Sequence, residues 1–320
     1  MKCRLIGASI IAFGIAATAS AQSWPTKPVR IINPFPAGGG TDTFARPLSV
    51  KLTQALGQQF LIENQGGAGG TVGATNASRA TPDGYTMFIG AVHHTIAESL
   101  YTKLPYSLER DFIPITVIAY VPNVIAIHPK NDFKSLKELI DFARANAGKL
   151  NYGSAGNGTS HHLAGELFKL QTNTFITHIP YRGAGPALQD LVSGQVDMMF
   201  DGLGSSAGHI RGGRLRGIAV AADKRAVAFP DMPTAAESGV STYKVSTWYG
   251  IWAPKGTPAE ATNAMAAEMR KALNSEELKT MWVGLGTETP NLWGADFGRF
   301  VSAEVKRWAD VVKSSGAKLD

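Results

Sequence analysis

Pro34-Phe35-Pro36-Ala37-Gly38-Gly39-Gly40-Thr41-Asp42 follows a short β-branched run and opens into a helical pattern. Gly153-Ser154-Ala155-Gly156-Asn157-Gly158-Thr159-Ser160-His161 repeats that local context about 120 residues further on. A glycine-rich turn that feeds a helix leaves backbone N–H groups unpaired at the positive end of the helix dipole, so each turn is a cradle for an anion. Two cradles in two halves of one chain predict a ligand held between them.

Around both turns, strand patterns alternate with helical ones, which predicts an α/β architecture with parallel sheets. Strand-like runs lie at residues 29–32, 60–62, 85–89, 150–152, 175–179, 196–200, 215–220 and 245–252, and a third glycine-rich turn, Gly66-Gly67-Ala68-Gly69-Gly70, follows the second of them. Leu136, Leu139, Ile140 and Ala143 mark one face of a helix, and Phe297, Phe300, Val301, Val305, Trp308, Val311 and Val312 form the apolar stripe of a long final helix. Thr234-Ala235-Ala236-Glu237 and Thr257-Pro258-Ala259-Glu260 read as capping boxes, the second with proline at the first helical position. Pro47 disfavours helical angles at Arg46, so the helix after the first turn is expected to begin late or to kink there.

The apolar stretch from Phe112 to Pro129 is too long for one ordinary strand, and Pro122 within it cannot donate to a ladder. We read it as two strands in different domains, with a hinge at Pro122-Asn123. A second crossing falls in the non-periodic stretch between Asp223 and Tyr243. The expected domains are therefore a discontinuous first domain (22–122 and 226–320) and a second domain (123–225), with the ligand cleft between them.

Lys2 and Arg4 precede an apolar run from Leu5 to Ala17, and Ala19-Ser20-Ala21 supplies the small-x-small pattern of a cleaved secretory leader, residues 1–21. That run is too short to span a bilayer. Cys3, the one cysteine, precedes the run rather than following it, so neither a lipid anchor nor a disulfide is expected in the mature chain. Loss of Lys2 and Arg4 lowers the formal charge from +6 to +4, a mild basic excess suited to a small anion. Lys and Arg are scattered singly rather than in runs, which argues against nucleic acid as a partner.

These residues resemble the Bug-type extracytoplasmic solute receptors of tripartite tricarboxylate transporters over essentially the whole mature chain. The likeness rests on Trp24-Pro25, Pro34 to Asp42, Glu63-Asn64-Gln65-Gly66-Gly67-Ala68-Gly69-Gly70, Pro82-Asp83-Gly84-Tyr85, Leu104-Pro105-Tyr106 and Gly153 to His161. It continues through Pro180-Tyr181-Arg182-Gly183, Pro230-Asp231-Met232-Pro233-Thr234 and Ala253-Pro254-Lys255-Gly256-Thr257-Pro258. The resemblance implies a two-lobed periplasmic binding protein type II clamshell, each lobe a mostly parallel sheet flanked by helices. It also implies capture of a small organic carboxylate (a di- or tricarboxylate, an aromatic acid or an acidic amino acid) and delivery to the membrane subunits of such a transporter. A periplasmic monomer with no cofactor and no metal is expected.

The candidate ligand contacts follow the turns. On the first, Phe35, Ala37, Gly38, Gly39, Thr41 and Asp42 are candidates: the glycines either admit ligand to the backbone or supply positive φ, and Thr41 either donates to a carboxylate or caps the helix. Asp42, a carboxylate beside an anion site, is expected to cap backbone amides, the alternative being a ligand ammonium. On the second, Ser154, Gly158, Thr159, Ser160 and His161 are candidates, with Thr159 or Ser160 as helix cap. His161 and His162 diverge by about 100° on a helix, so one of them at most faces a small ligand, and His161 is the choice. The pair lacks the four-residue spacing of a zinc site. Ala91 and His93 stand after the third strand, where His93-His94 also read as plain loop or helix-start residues. Tyr181 and Arg182 end a strand, where open α/β sheets bind ligands; Arg182 either meets a carboxylate or pairs with Asp201. Phe200 and Asp201 are rim candidates.

The alternative is an exported α/β enzyme, a hydrolase or a nucleotide-dependent enzyme, acting on an anionic small molecule. Neither Ser154 nor Ser160 lies in a Gly-x-Ser-x-Gly elbow, and Thr43 stands where a dinucleotide fingerprint needs its third glycine.

Overall fold

Each strand-like run becomes a strand in the computed structural model, which describes residues 24–315; the expected leader, residues 1–21, lies outside the described residues. The chain runs β1 (Val29–Asn33), α1 (Gly40–Leu56), β2 (Phe60–Asn64), a short 3-10 turn (Ala68–Gly70), α2 (Thr71–Ser78), β3 (Thr86–Ala91), α3 (Val92–Leu100), α4 (Leu108–Asp111) and β4 (Phe112–Ile127). It continues through α5 (Leu136–Ala145), β5 (Asn151–Ser154), α6 (Ser160–Thr172), β6 (Thr177–Pro180), α7 (Ala184–Val192), β7 (Met198–Gly202), α8 (Leu203–Arg211), β8 (Arg216–Val220) and β9 (Ser246–Pro254). Three helices close the chain: α9 (Ala259–Leu273), α10 (Glu276–Gly284) and α11 (Gly294–Ser315).

The strands order as β2-β1-β3-β9-β4-β7-β5-β6, with β8 also on β4. The parallel parts are β2-β1-β3 at one end and β6-β5-β7 at the other, whereas β4 and β9 run antiparallel to their neighbours. The parallel trios are the βα units in which each strand feeds a helix whose N-terminus emerges at the strand's carboxyl end.

The stretch read as two strands is one continuous strand, β4, and this corrects the sequence expectation. Its first part pairs with β9 as far as Pro122↔Ser246; from Asn123 onward it pairs with β7, and from Val124 with β8. Pro122 thus sits where the strand changes partners, the position at which a missing ladder donor is tolerated. The Asn123 amide donates to the Val245 carbonyl, Val245 to Ala221 and Ala221 to Asn123, tying three chain segments together at the crossing.

Two further expectations are corrected. Helix α1 starts at Gly40 and runs unbroken through Pro47 to an αL cap at Gly57, because a proline costs one intrahelical bond and the buried Phe44, Ala45, Leu48 and Leu52 anchor the helix on both sides of it. Thr257 forms no capping box: its hydroxyl donates to the Pro254 carbonyl, and Pro258 is the N-cap of α9 rather than its first helical residue. Thr234 and Glu237 make both reciprocal bonds of a box, but around an isolated turn. Helix α11 lays its stripe on α3 and β4, burying Phe297, Val301 and Trp308. Among the described residues no helix is long and apolar enough to cross a membrane.

Candidate functional site

The first glycine-rich turn begins where β1 leaves the sheet. Asn33 Oδ1 accepts from the Phe35 amide at 3.3 Å, and Asn64 at the end of β2 donates to the Phe35 carbonyl at 2.8 Å. Gly38 has φ +88, a left-handed conformation that a side chain would strain. Its amide donates to Asp42 Oδ2 at 3.1 Å, and Arg46 meets the other carboxylate oxygen at 2.7 Å. Asp42 therefore does accept a backbone amide, that of the turn rather than of the helix's own first residues. Its charge is neutralised by Arg46, whose guanidinium it raises above the ordinary range.

The second turn is built differently. Ser154 Oγ, at the end of β5, accepts from the Gly156 amide at 3.1 Å and lies 2.7 Å from His178 Nε2 on β6. Thr159 is the N-cap residue of α6, yet its hydroxyl donates to the Gly156 carbonyl and caps no helix amide. The Gly158 amide donates to His162 Nδ1, and the Ser160 amide donates to Nδ1 of His93 on α3. Imidazoles thus stand where the sequence reading placed hydroxyl caps. His162 stacks on His178 with ring centroids 4.2 Å apart, while His161 turns to the other side, toward Asp201 at 3.5 Å and His93 at 5.6 Å between centroids. Burial is the main cause that pushes all four histidines down, His178 to about 4, and His162 and His93 accept amides as neutral imidazoles.

A small cavity of about 10 Å³ lies between the turns, lined by Phe35, Gly39, Gly40, Thr41, His93, Ala155, His161, Ala184 and Tyr249. Four helix N-termini converge on it: Gly40-Thr41 opens α1, His93 sits in the first turn of α3, His161 in that of α6, and Ala184 opens α7. The cavity is small because the two sides touch over it. A Cβ on Gly185 would fall 2.1 Å from the Ala37 carbonyl oxygen, one on Gly39 would fall 3.2 Å from the Ala184 Cβ, and one on Gly69 would fall 3.2 Å from the Asn157 carbonyl oxygen. Cavities of about 600 and 470 Å³ open elsewhere, one between α6 and α11 and one beside residues 221–227. Size alone favours them, but they meet neither of the two turns, and charges lining them are partly paired with one another, Lys169 with Glu166 and Lys244 with Asp223.

Of the residues singled out from the sequence, Phe35, Gly39, Thr41, His93 and His161 line the small cavity. Ala37, Gly38 and Asp42 shape its first wall; Ala91 caps α3, and Ser154, Gly158, Thr159 and Ser160 form the second turn behind it. Asp201 stands directly behind His161, its Oδ2 accepting from the Ser205 and Ser206 hydroxyls. Three candidates lie away from the cavity. Phe200 packs among Tyr152, Phe168 and Tyr243, because successive strand residues face opposite ways and Asp201 takes the cavity side. Tyr181 donates its hydroxyl to Asp190, and Arg182 is exposed, with Asp201 bonded to serines instead. Gly40, Ala155, Ala184 and Tyr249 complete the lining and stand outside the candidate contacts given above. The signal for Ala184 was the run Tyr181-Arg182-Gly183 opening a helix with Pro186 near its start, a third strand-turn-helix unit of the same kind.

A nucleophile-and-base arrangement finds one resemblance, Ser154 with His178, but that serine is fully buried and stays outside the cavity lining. Among the described residues no group of three or more His, Cys, Asp or Glu is placed to hold a metal ion.

Residues 44–317 match the profile of the tripartite tricarboxylate transporter family receptor, TctC. The chain belongs to this receptor family. Among its relatives, Protein BugT of Bordetella pertussis is 36% identical over 318 residues, 98% of this chain and 97% of that protein. Two solved receptors superpose closely: R. palustris Rpa4515 with adipate (35% identity, TM-score 0.89, covering 93% of this chain and 100% of that one), and MatC from Rhodopseudomonas palustris with bound malate (34%, 0.85, 90% and 100%).

Proposed function

We propose that this receptor is a periplasmic, monomeric two-lobed protein that closes on a small organic carboxylate and hands it to the membrane subunits of a tripartite tricarboxylate transporter. The lobes are residues 22–122 with 226–320, and 123–225; the binding residues are those of the cavity together with the two turns around it. The observation that carries the reading is the meeting of the α1, α3, α6 and α7 N-termini on one cavity from both halves of the sheet. Each such terminus offers N–H donors and a partial positive charge, and a ligand with two carboxylates engages donors on both sides at once. Closure then follows from ligand contacts available only when the lobes meet. The adipate and malate bound by the two solved relatives belong to the same chemical class. The protein performs no chemistry on its ligand. Secretion through residues 1–21, with cleavage after Ala21, fits the mildly basic, disulfide-free mature chain.

A thermal-shift screen of purified mature protein with adipate, malate, tricarboxylates, aromatic acids and acidic amino acids tests this. Stabilisation by at least one class is expected, growing with ligand concentration; a flat response to every class refutes it.

A further inference from the structure

His161 is 2% exposed and faces the cavity, yet neither of its ring nitrogens has a hydrogen-bond partner. Behind it lies Asp201, fully buried, whose Oδ1 is likewise unpartnered and stands 3.5 Å from His161 Nε2. A second carboxylate entering the cavity would bring two like charges together where water is scarce, which disfavours both. We propose that ligand capture by this receptor takes up a proton onto His161, so that an imidazolium stands between the ligand carboxylate and Asp201. The inference rests on the carboxylate-binding reading above and assigns to that site a proton linkage and the residue that carries it.

The other groups facing His161 do not supply that proton site. His93 on α3 uses Nδ1 to accept the Ser160 amide, so a proton there breaks a buried bond, and His94 Nδ1 is already engaged by the Ala91 backbone. Tyr249 on β9 is buried beside Asp201, which pushes its phenol up and keeps it neutral. His209 on α8 is further toward solvent, next to Arg214, and burial and that cation both push it down. Of these histidines, His161 is the one that lines the cavity with neither ring nitrogen hydrogen-bonded. In the unliganded protein, burial outweighs Asp201 and holds its imidazole below the ordinary value. The α6 dipole acts the same way. A bound carboxylate adds the second negative neighbour that reverses this balance, giving Asp201, imidazolium and ligand in a line of alternating charge.

The test is calorimetric titration of adipate and of malate into the mature protein at about pH 7.5, in buffers of contrasting ionisation enthalpy, where free His161 is neutral. The binding enthalpy is expected to rise with buffer ionisation enthalpy, with a slope approaching one proton taken up. His161→Gln is expected to bind with a slope near zero and about tenfold or more weaker, because a shift of one pKa unit corresponds to a tenfold change in affinity. Imidazole nitrogen NMR of the unsubstituted protein keeps the test independent of the variant's folding: the His161 signals should move from neutral to imidazolium values on ligand addition. Binding without a buffer-dependent enthalpy, or a slope unchanged in His161→Gln, overturns the proton linkage and leaves the carboxylate reading standing. No binding of any acid in the thermal-shift panel above overturns both.

Discussion

The two glycine-rich turns occupy equivalent places, each between a parallel strand and a helix, and are held by different chemistry. The first turn is fixed by amide side chains and by Asp42, whose charge is matched by Arg46. The second is fixed by hydroxyls and neutral imidazoles, with His162 and His93 accepting its amides and His178 supporting Ser154. The first turn is held without an imidazole, whereas the second is held by imidazoles from both halves that burial keeps neutral until the pH falls below the ordinary histidine range. The difference teaches that equal backbone roles do not imply equal responses: pH dependence should enter through the second turn.

The largest effect is expected where the turns meet a facing helix. Gly185→Val places a side chain against the Ala37 carbonyl, so it should hold the halves apart and weaken adipate or malate binding by about a hundredfold or more, roughly 3 kcal/mol. Folding measured by circular dichroism should be nearly unchanged, since α7 stays intact. Calorimetry that finds wild-type affinity would remove closure from the account.

Lowering the pH tests the buried imidazoles next. His94 is buried and held down to about 4, while the unfolded chain binds its proton near 6.5. The unfolded state therefore gains protons first, and stability should fall as pH drops from 6.5 and level off below about 4, with His178 adding to the same window. Melting curves across that range check it; a melting temperature flat from pH 6.5 to 4 would contradict the neutral imidazoles.

Ser154→Ala removes the hydroxyl shared by the Gly156 amide and His178, and a loss of about 1 kcal/mol in stability is expected. The pH dependence of melting should change with it, which an equivalent Asn64→Ala change in the first turn should not produce. Thermal melts of both variants at two pH values make the contrast. The smallest effect belongs to Arg182→Ala. Its side chain is exposed, and Asp201 Oδ2 takes the Ser205 and Ser206 hydroxyls rather than Arg182, so affinity should stay within about twofold; a large loss would restore Arg182 to the ligand site.

Much of this was legible in residue order. Eight strands, the reciprocal Thr234–Glu237 pair and the stripe of α11 follow from periodicity and capping chemistry, which are local. The site was legible in part for the same reason: a glycine-rich turn announces its amides. Phe200 was misplaced because a strand's alternation fixes which residues share a face but not which face meets the cavity. The partners of Arg182 and Asp201 were open because an ion pair depends on distances between segments, and Ser205 and Ser206, one turn into α8, reach Asp201 first.

The sequence by itself determined the alternation of strands and helices, the places where chain direction could change and the supply of free amides at helix starts, since each depends on residues a few positions apart. Only the tertiary structure decided that β4 passes unbroken through both halves and that α3 and α7 bring their N-termini to the same cavity as α1 and α6. Those outcomes depend on long-range strand pairing and on which buried surfaces fit together, energies that no short stretch of chain contains.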